Sequence, residues 1–168
     1  MLAFLLAAAS ALPAPAAPVV SDAAYTHAAR LVDVGHGRRI NLYCRGSGSP
    51  TVIFDAGLSD STRAWALVQP AVSEHHATCS YDRAGLGFSD PATRPNTPAN
   101  DVADIHAALA AAGVKPPYVL VGHSSGGRAV RVFADRYRDE VVGIRPEVVV
   151  AAIEQVLSAT QMPPSTHP

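Results

Sequence analysis

One stretch of the chain has the residue types for nucleophilic catalysis: Gly122-His123-Ser124-Ser125-Gly126. A serine hydroxyl is a weak nucleophile until a base activates it, and its attack on a carbonyl creates an oxyanion that needs amide donors. The spaced pattern G-x-S-x-G is short. With glycine near 7% of residues it arises by chance in a chain of this length roughly once in twenty. Its setting carries the weight. Tyr118 to Val121 just before it holds no polar residue, and Ser124 to Arg138 reads as helix-like. Strand, tight turn and helix together lift a serine above a sheet edge. Small residues two places to either side fit the crowding of such a turn. The following helix would aim its N-terminal N–H groups at the site, with the Ser125 N–H as one oxyanion donor. His123 is expected to point away from the site, and an ordinary turn role suits the side chains of His123 and Ser125 better than a catalytic one.

A second donor should come from the loop after an earlier strand. Thr51 to Asp55 (TVIFD) reads as that strand, followed by Asp55-Ala56-Gly57-Leu58. Gly57 allows close backbone approach, which makes the Leu58 N–H the candidate donor; the alternative is a plain glycine turn at a strand end. Around these two segments the chain alternates strand-like and helix-like runs. Arg30 to Val34 and Arg39 to Cys44 flank Gly35-His36-Gly37 as a hairpin. Ser61 to His75 reads as a helix with Trp65, Val68 and Val72 on one face, and Ala77 to Asp82 as a strand. Thr97 to Ala112 reads as a helix stopped by Gly113. The resulting expectation is an α/β fold: a mostly parallel sheet with an opening antiparallel hairpin and flanking helices.

Composition narrows the classes. The 168 residues are 48% hydrophobic and 16% charged, which excludes wholesale disorder. A net charge of -1 excludes a strongly basic nucleic-acid binder. No apolar run reaches the roughly 18 residues of a spanning helix. Two cysteines make neither a disulfide-dense mini-protein nor a four-Cys zinc site, and no metal or cofactor is implied. Residues 1–18 (MLAFLLAAASALPAPAAP) resemble a secretory signal peptide without its positive start; a disordered Ala/Pro tail is the alternative. Export to a secreted or periplasmic location would permit a disulfide.

Three blocks together resemble the α/β-hydrolase fold family: Thr51 to Leu58, the loop Tyr81-Asp82-Arg83-Ala84-Gly85-Leu86-Gly87-Phe88-Ser89, and Val119 to Gly127 with its nucleophile elbow. The resemblance covers roughly residues 30–144. It implies strand order 1-2-4-3-5, Ser124 as catalytic nucleophile after the fifth strand, and a small-molecule carbonyl substrate. It also sets the second and fourth strands side by side and antiparallel, which brings Cys44 and Cys79 into disulfide range. Asp82 and Arg83 take structural roles in it, with Arg83 pairing a carboxylate near the site.

The pattern then breaks. The family places an acid and a histidine after the serine, yet the one histidine downstream of Ser124 is His167, in a Pro/Ser/Thr tail. Asp139 would stand about 20 Å from the serine at helical rise. Val141 to Ile144 leads into a sixth strand, but Arg145-Pro146-Glu147 looks like a helix start, with Val149, Ala152, Ile153, Val156 and Leu157 on one face. Three regions follow: 1–18 as leader or tail, 19–144 as the hydrolase-like core, and 145–168 as a divergent helix and Pro-rich tail. The reading is a truncated serine hydrolase acting on an ester, amide or related carbonyl, weak or inactive alone. Its alternative is a non-catalytic relic or binding module on the same fold. A cofactor-free peroxidase or dehalogenase fits less well. The missing late strands and lid should leave one side of the sheet open to self-association.

Overall fold

A computed structural model describes residues 22–145. The leader-like segment and the helix expected after Pro146 lie outside the described residues. Within them, six strands form one mixed sheet: β1 (Leu31–Asp33), β2 (Arg39–Arg45), β3 (Thr51–Asp55), β4 (Thr78–Tyr81), β5 (Tyr118–Gly122) and β6 (Val141–Arg145). Their order is β1-β2-β4-β3-β5-β6. The hairpin of β1 and β2 is antiparallel and so is the β2–β4 pair, while β4, β3, β5 and β6 run parallel. The hairpin turns through Gly35, His36 and Gly37, all at positive φ. Every residue of β3, β4 and β5 is buried, as expected of central parallel strands covered on both faces.

Two helices cover one face. Helix α2 (Pro98–Ala112) has Thr97 as its cap, whose hydroxyl accepts from the Asn100 N–H, and Pro98 in its first turn. It ends at Gly113, φ 77°, a left-handed residue that glycine adopts without strain. Val102, Ile105, Ala108 and Leu109 of α2 pack with Ala129, Val130 and Phe133 of α3 (Gly126–Arg136) on Ile53, Tyr81 and Leu120. The other face is thinner among the described residues: Val52, Phe54, Val119 and Val121 pack against Trp65, Val68 and Val72.

The expected helix from Ser61 to His75 is in fact two pieces, a short 3₁₀ helix (Thr62–Trp65) and α1 (Gln69–Ser73). Pro70 has no N–H to continue a longer helix, and the Thr62 N–H is committed to Asp82 Oδ1 at 2.7 Å. Helix α3 starts two residues later than expected because Ser124 sits at φ 53°, outside the right-handed region.

Cys44 and Cys79 face each other across β2 and β4, and their sulfurs are joined. The bridge spans 35 residues of chain, which in the loop-entropy model contributes about 3–4 kcal/mol. Denaturant titration of the oxidised chain with and without a thiol reductant should show a loss of that order. Equal stability, with no two-hydrogen mass gain on reduction, would contradict the bridge.

Candidate active site

Ser124 stands between the last residue of β5 and the first turn of α3. Its side chain is solvent-exposed, and no hydrogen bond joins it to any described residue. The positive φ costs an L-residue roughly 1–2 kcal/mol and is held by the packing on either side. That packing explains the glycines. A Cβ on Gly122 would lie 2.6 Å from the backbone of Gly126 and Gly127, and one on Gly126 would lie 2.6 Å from the Ala56 carbonyl oxygen. The helix start is thus pressed onto the ends of both β5 and β3. The His123 N–H donates to the Asp55 carbonyl at 3.0 Å and ties the elbow to the neighbouring strand end.

This register places the Ala56-Gly57-Leu58 loop beside the serine. Asp55 and Gly122 are direct partners in the sheet, and a Cβ on Gly57 would lie 3.6 Å from the Ser124 Cβ. The same point lies 3.1 Å from His123 Nδ1. The imidazole therefore rests against the loop rather than pointing away from it, which corrects the sequence-based expectation. No hydrogen bond links it to Ser124 among the described residues. The N–H groups of Leu58 and Ser125 also have no acceptor among the described residues.

Behind the loop lies a buried charge pair. Arg83 Nη1 donates to Asp55 Oδ1 at 2.6 Å and to the Ala56 carbonyl at 2.8 Å, and Nη2 donates to the Gly57 carbonyl. The Tyr81 hydroxyl donates to Asp55 Oδ2 at 2.6 Å. Burial pushes the Asp55 carboxyl up to about 6, against the opposing pull of the Arg83 charge and the Tyr81 hydroxyl. The sequence pointed to an Arg83–carboxylate pair but not to Asp55, because nothing in TVIFD shows that a strand-end carboxylate turns inward to meet a residue 28 positions on.

Asp82 plays the organising part in the loop after β4. Its carboxylate accepts from the N–H groups of Thr62 and Phe88 and from Asn41 Nδ2, and Gly87 leaves room for it. Ser89 Oγ donates to the Asp82 carbonyl at 2.6 Å. This loop, the Ala56-Gly57-Leu58 loop and the start of α3 enclose a cleft of about 120 Å³ touching Leu58, Ser125, Asp101 and Arg128. A hollow of about 590 Å³ lies elsewhere, against Cys44, Arg30 and Ala112. It sits at the opposite ends of the parallel strands, whereas ligands of open α/β sheets bind outside the carboxyl ends. No group of three or more His, Cys, Asp or Glu that could hold a metal occurs among the described residues.

Two acids downstream of Ser124 are engaged elsewhere. Asp135 pairs with Arg138, and Glu140 meets His106 at 3.1 Å with the imidazole stacked on Tyr137. Both pairs lie at the far end of α3 from the serine. His167 lies outside the described residues.

The comparisons with known proteins fit this geometry. The alpha/beta hydrolase fold model matches residues 50–149, and the chain belongs to that family. It is 29% identical over 123 residues to YqjL of Bacillus subtilis (strain 168), covering 73% of this chain and 48% of that protein. It is 34% identical over 127 residues to the 2-(acetamidomethylene)succinate hydrolase of Mesorhizobium japonicum, covering 73% and 44%. Among solved structures, a meta-cleavage product hydrolase variant from Pseudomonas fluorescens IP01 (CumD) superposes with a TM-score of 0.61 at 26% identity, covering 69% of this chain and 43% of that one. The chain spans about half the length of the curated relatives it matches.

Two outcomes test the site's construction. Gly126→Ala should cost about 1–3 kcal/mol in chemical denaturation, because the new methyl meets backbone on β3; an unchanged midpoint would contradict the close approach. The second concerns Asp55, whose folded pKa stands above its unfolded value of about 3.9. The folded chain then binds more protons than the unfolded one between roughly pH 4 and 6, so this group's contribution to stability falls as pH rises through that window. The stability of wild type minus that of Asp55→Asn should decline between pH 4 and 6 and level off above. A difference that rises instead would mean the Arg83 pair outweighs burial.

Proposed function

We propose that Ser124 is the nucleophile of an acyl-transfer site that hydrolyses an ester, amide or related carbonyl. One observation carries the reading: an exposed serine at positive φ stands beside two backbone N–H groups, Leu58 and Ser125, that have no acceptor among the described residues. A carbonyl carbon within reach of Ser124 Oγ would set its oxygen toward those donors, and attack would place the oxyanion where they and the N-terminus of α3 face it. The hydrolases among the relatives support the reaction class.

No imidazole among the described residues is hydrogen-bonded to the Ser124 hydroxyl. Removal of a triad base leaves a residual rate from the oxyanion hole, so a slow acylation is expected. The Cys44–Cys79 bridge supports export, since thiols stay reduced in most cytosols. A second reading, a binding module that keeps the fold without turnover, is favoured by a Ser124 hydroxyl that has no hydrogen-bond partner among the described residues.

A fluorophosphonate probe separates the two. Slow covalent labelling that disappears in Ser124→Ala is expected. No labelling over many hours, or labelling that persists in the variant, would overturn the hydrolase reading in favour of the binding module.

A further inference from the structure

We infer that Arg83 is the positioning residue of the oxyanion hole: its guanidinium sets which way the Leu58 N–H points. The inference rests on the acyl-transfer reading of Ser124. The peptide joining Gly57 to Leu58 is trans, so its carbonyl and its N–H point in opposite directions within one plane. Arg83 Nη2 holds that carbonyl. While the bond stands, the Leu58 N–H must face away from Arg83, and the glycine before it lies against Ser124.

The loop by itself supplies little to hold this orientation. Gly57 has no Cβ, so sterics restrict its two peptide planes least of all residues. The turn contributes one bond to the Gly57 carbonyl, from the Asp60 N–H at 3.2 Å. Arg83 grips three consecutive positions instead: the Asp55 side chain, the Ala56 carbonyl and the Gly57 carbonyl. It is itself fixed, with a side chain 7% exposed and Nε facing Asp101 Oδ2 at 4.0 Å. The Asp55 carboxylate that orients the guanidinium is anchored on its other oxygen by Tyr81. A planar fork can serve a carboxylate and two carbonyls at once, whereas the point charge of a lysine cannot hold the same three in place.

The inference separates Arg83 from a purely structural ion pair. A structural pair would act on stability alone. A positioning residue acts on the rate of attack at Ser124 in a chain that remains folded.

The test compares fluorophosphonate labelling of Ser124 in the full chain, wild type against Arg83→Lys and Arg83→Gln, with Arg39→Gln as the control for losing an exposed pair. Both Arg83 variants should label roughly 100-fold more slowly, the effect of losing one oxyanion donor, while Arg39→Gln labels at the wild-type rate. Folded Arg83 variants that label at the wild-type rate would overturn the inference. So would rescue by lysine, since charge without the fork would then suffice. A second measurement needs neither activity nor a variant: in the wild-type chain, NMR should show a scalar coupling across the hydrogen bond from an Arg83 Nη to the Gly57 carbonyl carbon. Its absence would overturn the inference even where the variants fail to fold. Wild-type chain that shows the coupling yet never labels would remove the hydrolase reading and leave the loop geometry standing.

Discussion

The site depends on one close approach, the first turn of α3 against the ends of β3 and β5. Gly122 and Gly126 bring backbone to backbone at distances that a single methyl group on either would close. From that contact follow the positive φ of Ser124, the seat of the Ala56-Gly57-Leu58 loop beside it, and the aim of the α3 N-terminus at the serine. Apolar burial on both faces of β3 and β5 supplies the force that keeps the contact shut. The strained residue is therefore held by ordinary core packing one layer beneath it.

A second layer acts on direction rather than distance. Close packing brings the Ala56-Gly57-Leu58 loop to the serine but leaves glycine peptides able to rotate. The buried Asp55–Arg83 pair holds the carbonyls of those peptides and is nearly closed to solvent. Burying such a pair is a weak source of stability in general. Its placement suits a role in orientation, where a fork with several donors outperforms apolar contacts that lack direction.

Much of this was legible in the sequence because it depends on local pattern. The polar-free run before Gly122 and the glycine spacing around Ser124 mark the elbow, and TVIFDAGL marks its partner loop. The resemblance carried by these blocks implied the strand order through β5 and the facing of Cys44 and Cys79, and the sheet has that order and register. What escaped depends on contacts between distant residues. The inward turn of Asp55 to Arg83, the lean of His123 onto Gly57, and the hold of Asp82 on the Thr62 N–H are all decided by contacts that the local sequence pattern does not show. No period or motif encodes them.

The central claim is geometric: a tetrahedral oxyanion on Ser124 lies within reach of the Leu58 and Ser125 N–H groups. A crystal structure of the chain with a phosphonate bound at Ser124 measures it directly. The phosphoryl oxygen should sit about 2.7–3.1 Å from both nitrogens. An adduct whose oxygen faces solvent, with Leu58 and Ser125 unengaged, would contradict it.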